Sequence, residues 1–125
     1  MSYLFYNEDT KELTEINQGE EETLKFLYKH LDCNTVQVVM MTNGITAWVD
    51  ENALLTHNYT HVHNIIDGRF EHNMVGNIVF TSTNSEEVAD LSKGQIEYIK
   101  NELKIETQSV EEYLKNNKTE YNDGL

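Results

Sequence analysis

The stretch 35-TVQVVMMTNGITAWVD-50 carries the clearest structural signal in this sequence. Two runs rich in β-branched and aromatic residues flank Asn43-Gly44, a pair that tolerates positive φ and suits a two-residue type I′ turn. The stretch therefore predicts a β-hairpin. By the period of two along a strand, Trp48 is expected on the more polar face of the hairpin, either under a helix or open to a partner.

The residues before the hairpin predict two short strands and one helix. The segments SYLFYN and KELTEIN have strand-like patterns on either side of a polar turn. Between residues 19 and 31, acidic residues precede an apolar stripe at helical spacing. The stripe consists of Leu24, Leu27, Tyr28 and Leu31. A helix over residues 19–31 is therefore predicted.

The middle of the chain is less regular. We expect residues 51–75 to be mostly loop, with a turn at Asp67-Gly68, because the His-rich part fits helical and strand spacing equally well. A short helix starting at Ala53, Leu54 and Leu55 is the alternative for the first part of this segment. Residues 76–83 predict a buried strand, since three consecutive positions there, Ile78 to Phe80, are branched or aromatic. This strand is expected to join the hairpin in one sheet.

The C-terminal quarter predicts a helix followed by an acidic extension. Ser92 and Gln95 match the capping-box pattern at the start of a helix over residues 93–104. The extension, residues 106–125, is expected to form a short helix and a frayed tail, and to be dispensable for folding. The sequence thus predicts one α+β domain over residues 1–105. It should contain a small, mainly antiparallel sheet, one early helix and one or two C-terminal helices.

Charge narrows the functions open to this chain. Its 125 residues include 22 Asp+Glu and 9 Lys+Arg, a formal net charge of −13. This charge repels nucleic-acid backbones and anionic lipids, so direct binding to nucleic acid or membrane is not expected. It attracts basic protein surfaces instead. Glu106, Glu111 and Glu112 of the extension are therefore candidate partner-binding residues.

The cellular context follows from what the sequence lacks. No apolar run approaches the ~20 residues of a membrane span, and residues 1–12 have no basic start of a signal peptide. Cys33 is the only cysteine, which excludes an internal disulfide and a cysteine-based zinc site. We expect a cytoplasmic protein. The oligomeric state stays open, a homodimer included.

The His-rich middle contains one metal-ligating pattern. His57, His61 and His63 lie within seven residues. A helix would align His57 with His61, and a strand would align His61 with His63, so neither geometry aligns all three. Two interpretations remain. A bend near His61 would allow a zinc site, whereas a polar loop would leave the histidines bonded to backbone carbonyls.

Arg69 is a candidate for binding an anion. It is the only arginine in the chain and follows the predicted turn at Asp67-Gly68. A guanidinium among excess carboxylates either closes a salt bridge or holds a ligand carboxylate or phosphate. In the second case Arg69 and Trp48 would bind an anionic nucleotide.

No pattern in the chain indicates catalysis. His30 and Cys33 lack a third group that would orient the histidine as a base. Asp50 and Glu51 are adjacent and on a strand would point to opposite faces. The sequence contains no phosphate-binding loop, nucleophile elbow or zinc-hydrolase helix. We therefore expect a protein that is not an enzyme.

Four features resemble a small, uncharacterised domain family found in phages and mobile elements. They are the helix TLKFLYKHL, the hairpin followed by Val49-Asp50-Glu51-Asn52, the strand Val75-Gly76-Asn77-Ile78-Val79-Phe80 and the helix LSKGQIEYIKN. The resemblance implies an accessory protein that acts on a host factor, in the cytoplasm of the host cell. With the charge, it favours an acidic protein that inhibits a host defence or nucleic-acid-binding protein. The alternative is a module that binds or sequesters an anionic nucleotide or a metal.

Overall fold

The computed structural model describes residues 2–84 and 87–115. The helices are α1 (Thr23–Leu31), α2 (Ala53–Thr56), α3 (Lys93–Asn101) and α4, formed by residues 110–115. The strands are β1 (Ser2–Asn7), β2 (Glu12–Asn17), β3 (Val36–Met40), β4 (Ile45–Asp50), β5 (His61–Asp67), β6 (Phe70–Val75), β7 (Ile78–Asn84), β8 (Glu87–Ala89) and β9 (Lys104–Ser109).

The strands form two antiparallel sheets. The larger has the order β2-β1-β7-β4-β3, with β8 also paired to β7, and the smaller has the order β6-β5-β9. All pairings within both sheets are antiparallel. The predicted α+β class, with a mainly antiparallel sheet, an early helix and C-terminal helices, is confirmed.

The core lies on both faces of the larger sheet. On one face α1 packs through Phe26, Leu27 and Leu31 against Tyr3 and Val79. The opposite face packs against the smaller sheet and α3. Its buried side chains include Leu4, Ile45, Ala47, Ile78 and Phe80 from the larger sheet, Ile65 and Met74 from the smaller sheet, and Ile99 from α3. The larger sheet is therefore the middle layer of three.

The predicted hairpin is confirmed in detail. β3 and β4 pair from Val36 opposite Asp50 to Met40 opposite Thr46. At the turn, Asn43 has φ 61° and ψ 25° and Gly44 has φ 68°, which are the angles that a type I′ turn requires. Local chemistry therefore decides this turn.

Helix boundaries agree with the sequence predictions only in part, because α3 ends at Asn101, three residues before the predicted end at residue 104. α1 begins at Thr23, four residues after the predicted start, and ends as predicted at Leu31. The capping box at the start of α3 is confirmed, because the Ser92 side chain accepts from the Gln95 backbone and the Gln95 side chain accepts from Ser92.

The prediction that residues 51–75 are mostly loop was wrong. They form α2 and the hairpin of β5 and β6, which is two thirds of the smaller sheet. Polar residues caused the error, because His63 and Asp67 occupy buried positions of β5 that a hydrophobic pattern reserves for apolar side chains. The turn at Asp67-Gly68 is confirmed, with Gly68 at φ 63° between paired Asp67 and Phe70.

The predicted boundary between residues 105 and 106 falls inside β9. The second half of β9, residues 106–109, pairs with His61–Asn64 of β5. A short helix, α4, follows as expected, and the predicted frayed tail over 116–125 lies outside the described residues. In the described part of the chain, no helix is long and apolar enough to cross a membrane.

Candidate functional site

A cavity of about 740 Å³ lies among β3, β4, α2, the smaller sheet and α4. This volume is within the ~300–1,000 Å³ typical of small-molecule pockets. Three carboxylates line it, and among the described residues no Lys or Arg does. The carboxylates belong to Asp50, Glu51 and Glu106. The electrostatic character of the cavity is therefore acidic, which favours cationic or neutral groups over anions.

Strand register explains how distant segments meet in the cavity. Asn64 of β5 lies opposite Asn73 of β6 on one side and opposite Glu106 of β9 on the other. All three residues line the cavity. The Asn64 side-chain oxygen is buried and has no hydrogen-bond partner among the described residues. One amide or carboxylate residue from each strand of the smaller sheet therefore lines the cavity at this register position.

Asp50 is the most firmly held carboxylate of the cavity. One of its oxygens accepts from the Asn52 backbone N–H at 2.9 Å, and the other accepts from the Asn58 side chain at 2.8 Å. Glu51 and Glu106 are exposed side chains of the same lining. The cavity lining thus combines one carboxylate held by two hydrogen bonds with two exposed ones.

Of the three predicted partner-binding residues, one lines this cavity. Glu106 lines it, and Glu111 and Glu112 are exposed on α4, whose Tyr113 also lines it. We use the name acidic face for Asp50, Glu51, Glu106, Glu111 and Glu112 together. Of these residues, Glu106, Glu111 and Glu112 were the ones proposed from the charge of the sequence.

His63 forms a buried hydrogen-bond chain rather than a metal site. Its Nε2 donates to the Gly76 carbonyl at 2.7 Å, because a carbonyl only accepts. In the neutral ring Nδ1 then accepts, so Thr107 donates to it at 2.9 Å and Tyr6 donates to Thr107 at 2.8 Å. Both ring nitrogens are therefore engaged within the protein.

The three histidines do not converge. His57 is exposed at the end of α2, with φ 58°, whereas His63 is 2% exposed inside the fold. His61 lies near the surface, with its Nδ1 4.0 Å from Asp9. Within residues 2–84 and 87–115, no group of three or more His, Cys, Asp or Glu is placed to hold a metal ion. Of the two geometries considered from the sequence, the strand applies, because β5 contains His61 and His63 but not His57.

Trp48 and Arg69 are also apart. Trp48 packs with the α1 side of the core and donates from Nε1 to the Thr81 hydroxyl at 2.9 Å. Of the two interpretations for Trp48, the covered one applies. Arg69 is exposed in the two-residue turn between β5 and β6, and the ion pairs of the described chain do not include it. Neither residue lines the cavity.

Sequence reasoning missed the carboxamides and tyrosines of the cavity. They are Gln37, Asn64, Asn73, Gln108, Tyr59 and Tyr113. Single amides in strands are indistinguishable from ordinary solvent-facing residues until the register is known, so no local signal identifies them. Of the site residues proposed from the sequence, Glu106 and His63 line this cavity.

The burial of His63 predicts an acid-sensitive fold. Burial lowers the pKa of His63, against the opposing effects of the Gly76 carbonyl and the Glu8 charge. As the pH falls, the unfolded chain therefore binds a proton at His63 before the folded chain does. The stability that His63 contributes is complete above pH ~6.5 and decreases as the pH falls below that value. Urea unfolding between pH 8 and pH 5 measures this fall. The His63→Gln variant should lose part of the pH dependence, whereas the exposed His57→Gln control should keep it; equal profiles would contradict the assignment.

Comparisons with known proteins match most of the chain to one family. A family model described as Domain of unknown function (DUF3846) matches residues 1–104, which is more than four fifths of the chain. The match contains all four features on which the sequence resemblance rests. No curated protein and no solved structure matches the chain in the same comparisons.

Proposed function

The chain belongs to the DUF3846 family, and from that premise we propose that it is an acidic, non-catalytic accessory protein that binds and inhibits another protein. The partner is a host protein with a basic surface, of the defence or nucleic-acid-binding class, and the chain is encoded by a phage or mobile element and acts in the host cytoplasm. The observation that carries this proposal is the acidic face beside the cavity.

Charge arithmetic supports an unneutralised surface. If all 9 Lys+Arg paired with carboxylates, 13 carboxylates would still have no cationic partner. Five carboxylates belong to the acidic face, and four of them, Glu51, Glu106, Glu111 and Glu112, are exposed. Clustered exposed negative charge raises the rate of encounter with a basic surface and repels acidic surfaces.

The reactive side chains of the described residues support a non-catalytic role. Burial raises the pKa of the Cys33 thiol to about 11, with a further contribution from the nearby Asp50 charge. Such a thiol is protonated at neutral pH and is a poor nucleophile. Both ring nitrogens of His63 form hydrogen bonds within the fold. Binding, rather than bond making, is therefore the function that we propose.

Salt-dependent capture tests the proposed function. The tagged full-length chain should retain a protein partner from a bacterial lysate at about 150 mM salt and release it as screening increases. The triple variant Glu106→Gln/Glu111→Gln/Glu112→Gln should weaken capture about tenfold. A matched control, Glu12→Gln/Glu15→Gln/Glu20→Gln, removes equal charge from β2 and the loop after it and should have a smaller effect. Capture that ignores salt, or no capture at all, would refute the proposal.

A second candidate function is supported by the cavity itself. Its volume suits a small molecule, and its carboxylates and carboxamides suit a cationic or neutral ligand rather than the anionic nucleotide that the sequence offered as an alternative. Native mass spectrometry of protein taken directly from cells separates the two functions. A bound small molecule of constant mass would favour the second, and an unliganded chain that still captures a partner would favour the first.

A further inference from the structure

The edge strand β3 is unusual in its composition. Its sequence VQVVM contains no charged residue, and in the described part of the chain it pairs with β4 alone. Val38 is 44% exposed and Met40 is 59% exposed. An edge of this kind is a template for pairing with another strand, and proteins normally protect it with charge.

The other edge strands carry that protection. Each contains at least one charged residue within its own span. Among the side chains that the structure describes, these are Glu12 and Glu15 in β2, Glu71 in β6, and Lys104 and Glu106 in β9. In a chain with 25% charged residues, the bare β3 edge therefore stands out as a surface kept free for pairing.

The alternation of hydrogen bonds along the β3–β4 ladder shows which backbone groups of β3 have no partner in β4. The Met41 N–H donates to the Ile45 carbonyl, and the Glu51 N–H donates to the Thr35 carbonyl. Pairs that exchange hydrogen bonds alternate along an antiparallel ladder, so Gln37 and Val39 also bond to β4. The N–H and C=O groups of Val36, Val38 and Met40 consequently point away from the sheet at its open edge.

We propose that β3 is the docking edge for an extended, lysine- or arginine-bearing segment of the partner, which adds to the larger sheet as a further strand. An added strand lies ~4.8 Å from β3, and its alternate side chains share a face with Gln37 and Val39. Both of these residues line the cavity with its three carboxylates. The alternate side chains of the partner strand therefore meet negative charge, which selects lysine and arginine.

Charge complementarity also decides against a second copy of this chain as the occupant. Two copies would each bring a net charge of −13 to the same edge, so a β3–β3 pair would be opposed electrostatically. A basic strand gains the backbone hydrogen bonds without that repulsion. This inference rests on the proposed function and names the binding mode that it uses.

A pair of variants at Val38 tests strand addition with the full-length protein. The probe is a fluorescent peptide of about eight residues that alternates lysine and valine, with a glutamate and valine peptide as its control. Val38→Pro removes an N–H that β4 does not use, whereas Val38→Ala removes the two methyl groups of the side chain and keeps that N–H. Fluorescence anisotropy should show binding weakened at least about tenfold by V38P and less than about threefold by V38A, with no binding of the acidic peptide.

Amide exchange on the wild-type protein gives a readout that needs no variant. Addition of the lysine and valine peptide should protect the Val38 and Met40 amides. Equal binding by V38P and V38A, or no new protection, would overturn the inference; if the lysate partner were still captured in a salt-dependent way, the proposed function would stand. A wild-type dimer that V38P abolishes would instead make a second copy the occupant and overturn it as well.

Discussion

Replacing Asp67 by alanine is expected to lower the free energy of unfolding by about 3 to 5 kcal/mol. The Asp67 side chain is fully buried, and three donors converge on it. The Thr42 backbone N–H donates at 2.7 Å, and the hydroxyls of Thr42 and Tyr98 donate to the other carboxylate oxygen. The variant would leave these three donors without their acceptor and would remove the carboxylate that links Thr42 to Tyr98 of α3. Urea unfolding at pH 7 measures the loss.

Tyr98→Phe is the matched control for this prediction. It removes one donor and leaves the carboxylate with its two bonds from Thr42, so a loss of about 1 kcal/mol is expected. Burial alone would raise the pKa of Asp67, but the hydrogen bonds from Thr42 and Tyr98, with the nearby His72, hold it below its ordinary value. The contribution of Asp67 is therefore complete above pH ~4 and is lost as the pH falls further. If D67A cost no more than Y98F, the carboxylate would not be the centre of this network.

The parts of the fold that the sequence predicted are those with local causes. The β3–β4 hairpin follows from Asn43-Gly44, whose backbone angles only a few residue types adopt cheaply. The start of α3 follows from Ser92 and Gln95, three residues apart. In each case the residues that cause the structure lie within a few positions of it. Local chemistry is therefore sufficient to predict these elements.

The smaller sheet was not predictable in this way because its buried polar groups depend on remote partners. His63 bonds to Thr107, 44 residues away, and Asp67 bonds to Thr42 and Tyr98, 25 and 31 residues away. Without those partners, histidine and aspartate at core positions indicate a surface loop. Hydrogen bonds from other segments change that preference, and a single sequence does not show them.

The candidate site was predicted only in small part. Of the residues proposed from the sequence, Glu106 and His63 line the cavity, whereas Glu111 and Glu112 are exposed on α4 outside its lining. The cavity itself combines β3, α2 and all three strands of the smaller sheet, so its shape depends on the packing of the two sheets. Charge is visible in a sequence, whereas concavity arises only from tertiary structure.

Ending the chain at Ile105 is expected to lower the melting temperature by more than about 10 °C, which corresponds to about 3 kcal/mol or more. This expectation reverses the one drawn from composition, which treated residues 106–125 as dispensable. The truncation removes the half of β9 that pairs with His61–Asn64, and it removes Thr107, the donor to His63. A buried imidazole would then lose one hydrogen-bond partner, and β5 would become an edge along half of its length. Calorimetry of both chains measures the difference.

Two controls separate the contributions of β9. A chain that ends at Lys115 keeps all of β9, including every pair with β5, and should melt close to the full-length protein. Thr107→Val in the full-length chain removes only the hydroxyl between Tyr6 and His63 and should cost about 1 to 2 kcal/mol. If the chain ending at Ile105 melted within a few degrees of the full-length protein, residues 106–109 would add no stability. Glu106 would then be free to act in partner attraction alone, whereas the expected loss means that it is held at the cavity by the same strand that completes the smaller sheet.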